Sequence, residues 1–196
     1  MSSKELVELY LLKCASLKIA VAEVSPNSSR DGRLAVVDES LSPFISQFSA
    51  EVRDNADEMA KYYKLFYMLE NDTRQLIDDT LTEAYGQNWW DDHVPQNVKE
   101  EYKLNQQRES DAGVSSRSEN PLHYISFGQL GEIIRANWDI FGGMLSNQKA
   151  LGRVMFGLNM LRGPIAHCGV LAEDEIERLM LTVKDWFRLL EGPKQK

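Results

Sequence analysis

Cysteine is scarce in this chain, with two in 196 residues. Cys14 and Cys168 stand towards opposite ends without metal-ligand spacing; a disulfide between them stays open, but reduced thiols are the simpler expectation. A long apolar run is missing as well. The one candidate, Leu6 to Val24, is interrupted by Glu8, Lys13, Lys18 and Glu23, which excludes an uncharged membrane span and a secretory core, so no membrane association and a cytoplasmic location are expected. Positive charge is in deficit: 22 Lys and Arg against 30 Asp and Glu leave a net charge of -8. That balance offers no broad electrostatic footprint for a nucleic acid backbone, so any RNA site must be a local basic pocket. The sequence also contains no glycine-rich phosphate cradle and no serine-nucleophile elbow.

What is present is an ordinary globular composition, 43% hydrophobic and 27% charged, long enough for one substantial core or for a domain with an appended element. The apolar spacing predicts an all-α fold. Residues 1–40 read as an N-terminal helix, with its stripe at Leu6, Tyr10, Leu11, Cys14, Leu17 and Val21, followed by a connector. Leu34 to Val37 hints at an extended crossing, too short and too isolated to found a sheet. Residues 41–196 read as one helical domain.

Within that domain, Ser42-Pro43 looks like a helix start. The stripe Phe44, Phe48, Val52, Met59, Tyr62, Tyr63, Phe66 and Leu69 resumes at Leu76, Ile77, Leu81 and Tyr85, giving one very long helix or two in tandem divided near Asn71-Asp72-Thr73. Gly86 is its expected stop. A short helix is predicted over Asn97 to Leu104, and the polar residues of about 106–119 read as a mobile surface loop. Ser126 and Gln129 form a capping box that opens the next helix, and Gly142-Gly143 breaks the chain after Phe141. A helix from about Gln148 is expected to stop near Gly163-Pro164, because the proline ring clashes with the carbonyl four residues back. The last helix starts at the acids Glu173-Asp174-Glu175 and buries Ile176, Leu179, Val183, Trp186, Phe187 and Leu190.

The chemistry-bearing candidates are Arg162 and His167. Five steps on an unbroken helix turn two side chains about 140° apart, so their convergence requires the break at Gly163-Pro164. Guanidinium holds a phosphate through paired hydrogen bonds, and imidazole exchanges protons near neutral pH. Attack on RNA by its own 2′-hydroxyl needs those two functions and no metal. The plainer alternative is that Arg162 is a cation at a helix C-terminus and His167 a capping or packing residue.

Other features fit structural roles better. Glu70 and Arg74, one turn apart, read first as an ion pair and second as support for an Arg162/His167 pocket. Trp89 and Trp90 read as core anchors rather than base-stacking platforms. Asp91, Asp92 and His93 are consecutive and have no second ligand cluster, so neither a metal nor any other cofactor is expected. His123, beside Pro121 in a loop, suggests nothing by itself.

The run Leu161 to His167 at the end of an apolar helix, preceded by Tyr124 to Leu130 and Ile133 to Trp138, with Leu69 to Arg74 and Gly86 to Trp90 upstream, resembles the HEPN superfamily (higher eukaryote and prokaryote nucleotide-binding). It looks closest to the Swt-type branch. The resemblance spans roughly Tyr62 to Leu190 and implies a helical bundle, frequent two-fold pairing, and an arginine-x(four to six)-histidine motif acting as a metal-independent ribonuclease site where two copies meet. Arg162 and His167 match that motif, with Arg153 as an added RNA-backbone contact. A setting in defence or a toxin–antitoxin system, with an antitoxin or defence-system protein as partner, is implied on the same ground. One position departs from the pattern: Gly163 stands where active members usually carry a polar side chain. That departure also admits a non-catalytic module that binds RNA, a nucleotide or a partner protein.

Overall fold

The computed structural model of the protein describes residues 40–192. The predicted N-terminal helix, the extended crossing and Cys14 lie outside them. Eight α-helices and one 3₁₀ turn, and no strand, occur among the described residues. None of these helices is long and apolar enough to cross a membrane.

Helix α1 (Ser42–Ile45) is a single turn with Pro43 in its first positions. The long helix then starts afresh at Ser49, whose hydroxyl accepts the Val52 N–H, so the two start signals serve two helices. Helix α2 (Ala50–Tyr85) runs for 36 residues, about 54 Å at 1.5 Å per residue. Asn71-Asp72-Thr73 does not divide it. The Asn71 amide donates to Tyr67 O at 2.7 Å and the Thr73 hydroxyl to Leu69 O at 2.7 Å. Both side chains thus bond back one turn inside the helix instead of competing with it. Gly86 ends the helix at φ +81, a left-handed conformation that glycine adopts without a Cβ penalty.

Helix α3 (Trp89–His93) and helix α4 (Gln96–Asp111) follow. Helix α4 is longer than its sparse apolar residues predict, so Gln106 to Asp111 are helical and not part of the loop expected over 106–119. The helix carries few apolar residues and is held at its buried edge by Val98 and Tyr102. It is also braced by polar pairs one turn apart, such as Gln107 with Asp111.

A 3₁₀ turn over Pro121–Tyr124 leads into α5 (Phe127–Ala136), which opens with the predicted capping box: Ser126 Oγ accepts the Gln129 N–H, and Gln129 Oε1 accepts the Ser126 N–H at 2.8 Å. Phe127, Leu130, Ile133 and Ile134 are fully buried, and α5 packs against both α2 and α7 (Gln148–Ala166). The short α6 (Trp138–Phe141) stops at Gly142. Between α5 and α6, the buried Asn137 amide donates to Ile133 O and His93 O, both at 2.9 Å, tying α3 to the centre. The last helix, α8 (Glu173–Leu190), lies along α7 and buries Leu179, Val183, Trp186, Phe187 and Leu190. Glu175 accepts the Ala172 N–H at 3.0 Å, securing its start.

The main departure from the sequence reading lies in α7, which passes through Gly163-Pro164 and ends only at Ala166. Two physical reasons account for it. The residue before a proline avoids the helical basin largely because its Cβ meets the proline ring, and Gly163 has no Cβ. An interior proline costs about 3 kcal/mol through its lost hydrogen bond and its clash with the carbonyl four residues back, and burying Ile165 in the next position offsets about 1.5–3 kcal/mol of it. The His167 N–H still reaches Gly163 O at 3.1 Å and the Gly169 N–H reaches Pro164 O at 2.7 Å, closing the helix end.

Candidate functional site

The long α2 and the C-terminal turn of α7 enclose a cleft of about 300 Å³. Glu70, Asn71 and Arg74 enter from α2, Arg162 and Ile165 from α7, and His123 from the 3₁₀ turn. Glu70, 8% exposed, sits at the seam. One of its carboxylate oxygens accepts Arg162 Nε at 2.8 Å; the other accepts an Arg74 amine. Glu70 therefore bridges two arginines from different helices, a larger role than the local ion pair that its spacing from Arg74 suggests.

Arg74 is held on three sides: by Glu70, by Asn71 Oδ1 at 3.3 Å, and by Leu122 O, which accepts its Nε at 3.0 Å. Arg162 is 35% exposed in its side chain and has no hydrogen bond other than that to Glu70 among the described residues. Its side chain lines the cleft. Two guanidiniums against one carboxylate make this a locally positive pocket on a chain of net charge -8, the kind of local basic site the composition required.

His123 is the residue that sequence reasoning passed over. The turn carrying it is fastened from several directions. Asn120 Oδ1 accepts the Leu122 N–H at 2.9 Å while its amide donates to Asp78 at 3.0 Å; Asp78 also receives the Trp89 indole N–H at 3.2 Å. Asn105 donates to Tyr124 O at 2.8 Å, and an edge-to-face series of rings runs from Trp89 through Trp90 and Tyr102 to Tyr124. Burial, with a smaller effect from the Arg74 charge, pushes the His123 imidazole below its ordinary 6.5. Near pH 7 it is a neutral ring able to accept a hydrogen bond. An Asn-Pro turn opening was readable locally; the wall it would face was not.

His167 lies elsewhere. It is exposed, caps the C-terminus of α7 at φ -104, and does not line the cleft. Because α7 is unbroken at Gly163-Pro164, the redirection expected to bring Arg162 and His167 together within one chain does not occur. Arg153 is exposed on α7, about 180° around the helix from Arg162 and about 14 Å along it, so it joins no shared surface with the cleft in the same chain.

Trp89 is a buried anchor and Trp90 half-buried, in keeping with core roles. His93 stacks on Tyr85 with centroids 3.4 Å apart. Among the described residues no group of three or more His, Cys, Asp or Glu could hold a metal ion. Tyr63, counted with the apolar stripe of α2, instead points outward beside the cleft with Tyr67, whereas its neighbour Tyr62 is buried.

Comparison with curated proteins and with solved structures returns no match. Residues 64–191, which are 128 of the 196, match the family model described as Swt1-like HEPN. That span contains Glu70, Asn71 and Arg74 of the α2 wall, the cleft residues of α7, the 3₁₀ turn and His167, and begins one residue after Tyr63. On this match, carried by a helical bundle with an arginine-lined cleft, the chain belongs to the Swt1-like HEPN family.

Proposed function

We propose that this protein is a metal-independent endoribonuclease whose site is completed when two copies pair. The observation that carries the reading is Arg162: a buried carboxylate fixes its Nε, and its side chain, part-exposed, lines a positively charged cleft. Preorganised donors of this kind stabilise charge that builds on a phosphate during reaction. His167, exposed at the end of the same helix, is open to a second copy and supplies the proton-transfer group.

In this mechanism the 2′-oxygen attacks the adjacent phosphorus as its proton passes to a neutral imidazole. The bond from phosphorus to the 5′-oxygen breaks, an imidazolium returns a proton to that leaving oxygen, and a 2′,3′-cyclic phosphate and a 5′-hydroxyl result. Arg162 holds the non-bridging oxygens. A role in defence or as the toxin of a toxin–antitoxin pair fits such an activity.

The test is cleavage of a mixed RNA substrate in EDTA by wild type, Arg162→Ala and His167→Ala. Cleavage by the wild type, lost by at least about a hundredfold in either variant, is expected for groups acting in the transition state. Equal absence of cleavage in all three folded proteins overturns the enzyme reading. The second reading, a non-catalytic RNA-binding module, is favoured by one specific observation: no His167 enters the cleft of its own chain. It predicts RNA binding that depends on Arg162, without cleavage.

A further inference from the structure

We propose that Tyr63 and Tyr67 form a base-stacking platform at the rim of the cleft, so that the site takes a nucleotide of single-stranded RNA with its phosphate at Arg162 and its base on the tyrosines. The proposal rests on the reading of the cleft as an RNA site, and extends it to residues outside the arginine–histidine motif.

Three observations converge on it. Both rings are large apolar groups left in water, 62% and 60% exposed, while the buried face of α2 runs through Tyr62, Phe66, Leu69 and Thr73. They are therefore not core residues at the margin of burial; they lie on a separate strip of the helix. Tyr63, Tyr67, Asn71 and Arg74 follow at intervals of four, four and three, the spacing of side chains that share one helical face. That strip leads from the aromatic rings to the guanidinium cluster without leaving the cleft wall, and all four line the same cavity as Arg162 and His123.

The rings are also held relative to each other. Their centroids are 6.3 Å apart with planes at 38°, a tilted pair within the range of favourable aromatic contact. Asn71 bonds back to Tyr67 O at 2.7 Å and its Oδ1 accepts Arg74, which links the strip to the guanidinium cluster. An aromatic face beside a fixed cation is the arrangement by which proteins hold single strands, because every base has a π-face and every nucleotide a phosphate. Stacked duplex RNA would not present a free base to such a rim. In the same cavity, the neutral His123 ring can accept a hydrogen bond from a ribose hydroxyl or a base N–H.

The test measures anisotropy of a labelled, uncleavable 2′-fluoro oligoribonucleotide of mixed sequence, in EDTA, against wild type, Tyr63→Ala, Tyr67→Ala and the two Phe replacements. Loss of a stacked base weakens binding by about fivefold or more, and each Ala variant should show it, while the Phe variants stay within about twofold because they keep the ring. An oligonucleotide with abasic sites provides the readout that a merely structural defect would not move: wild type and the Ala variants should bind it equally. Wild-type failure to bind the intact oligonucleotide, Ala variants that bind it as wild type does, or an Ala defect that persists on the abasic strand each overturns the platform. Sedimentation of the same variants identifies the competing use of this surface. Loss of self-association without loss of RNA affinity assigns the tyrosines to a protein interface and sinks the proposal. Absence of cleavage with the stacking signal intact removes only the catalytic reading; cleavage that proceeds undiminished in both Ala variants with no stacking signal removes only the platform.

Discussion

The Glu70 carboxylate and the Arg162 guanidinium meet at 2.8 Å although 92 residues separate them in sequence. With Arg74 on the other carboxylate oxygen, Glu70 is the one negative group between two cations in the cleft. Removing one partner of a buried ion cluster leaves uncompensated charge, which costs more than the cluster itself contributes. Glu70→Ala should therefore lower the unfolding free energy by about 3 kcal/mol, read as a shift in the denaturant midpoint at unchanged slope. A change under about 0.5 kcal/mol would show that the carboxylate is not the joint between α2 and α7.

His123 provides a pH-dependent prediction. Its folded-state proton affinity is lowered by burial and then by Arg74, so below 6.5 the unfolded chain binds the proton more readily than the native one. Stability from this group is full above 6.5 and declines as pH falls through the window beneath it. Between about pH 7.5 and about pH 5.5, wild type should lose stability more steeply than His123→Gln. Parallel slopes for the two proteins would contradict the burial of this imidazole.

The passage of α7 through Gly163-Pro164 predicts a non-additive pair. A Cβ at Gly163 meets no neighbouring element, so Ala there should gain its helix propensity of about 1 kcal/mol. Next to Pro164 that gain is offset by the clash between the new Cβ and the proline ring. Gly163→Ala should then be neutral or destabilising alone and stabilising by about 1 kcal/mol in the Pro164→Ala background. Thermal unfolding of the four proteins in the cycle measures the coupling; additive effects would mean that glycine is not what lets the helix continue.

Pairing of two chains makes a fourth prediction. Phe156 and Met160, 69% and 60% exposed, lie one turn apart on α7, and His167 follows Met160 by seven residues, on the same face. If two copies complete the site, this stripe is covered when they meet, and the particle mass should be about twice the 22.4 kDa chain. The double variant Phe156→Glu, Met160→Glu should sediment as a monomer and lose cleavage together with pairing. A wild type that stays monomeric at micromolar concentration would rule out a shared site.

Much of the fold was legible because it rests on local rules. The Ser126/Gln129 box, the glycine stop at 86, the acidic start of α8 and its buried stripe all follow from hydrogen bonds and spacings within a few residues. The fold departs from local rules where such a rule has a competitor. Pro164 was expected to end α7, and the missing Cβ of Gly163 with the burial of Ile165 carried the helix on. The polar residues 106–111 were expected to form a loop, and side-chain pairs one turn apart kept them helical.

The sequence by itself determined a helical bundle, its family resemblance and the presence of an arginine–histidine motif, since periodicity, caps and short motifs are written in contiguous residues. Only the tertiary structure decided which groups meet. It set Glu70 between Arg74 and Arg162, turned His123 and the two tyrosines towards the same cleft, and left His167 outside it. Those relations depend on how α2, α7 and the 3₁₀ turn pack against one core, and contacts between different elements, such as Glu70 with Arg162, leave no trace in the spacing along the chain.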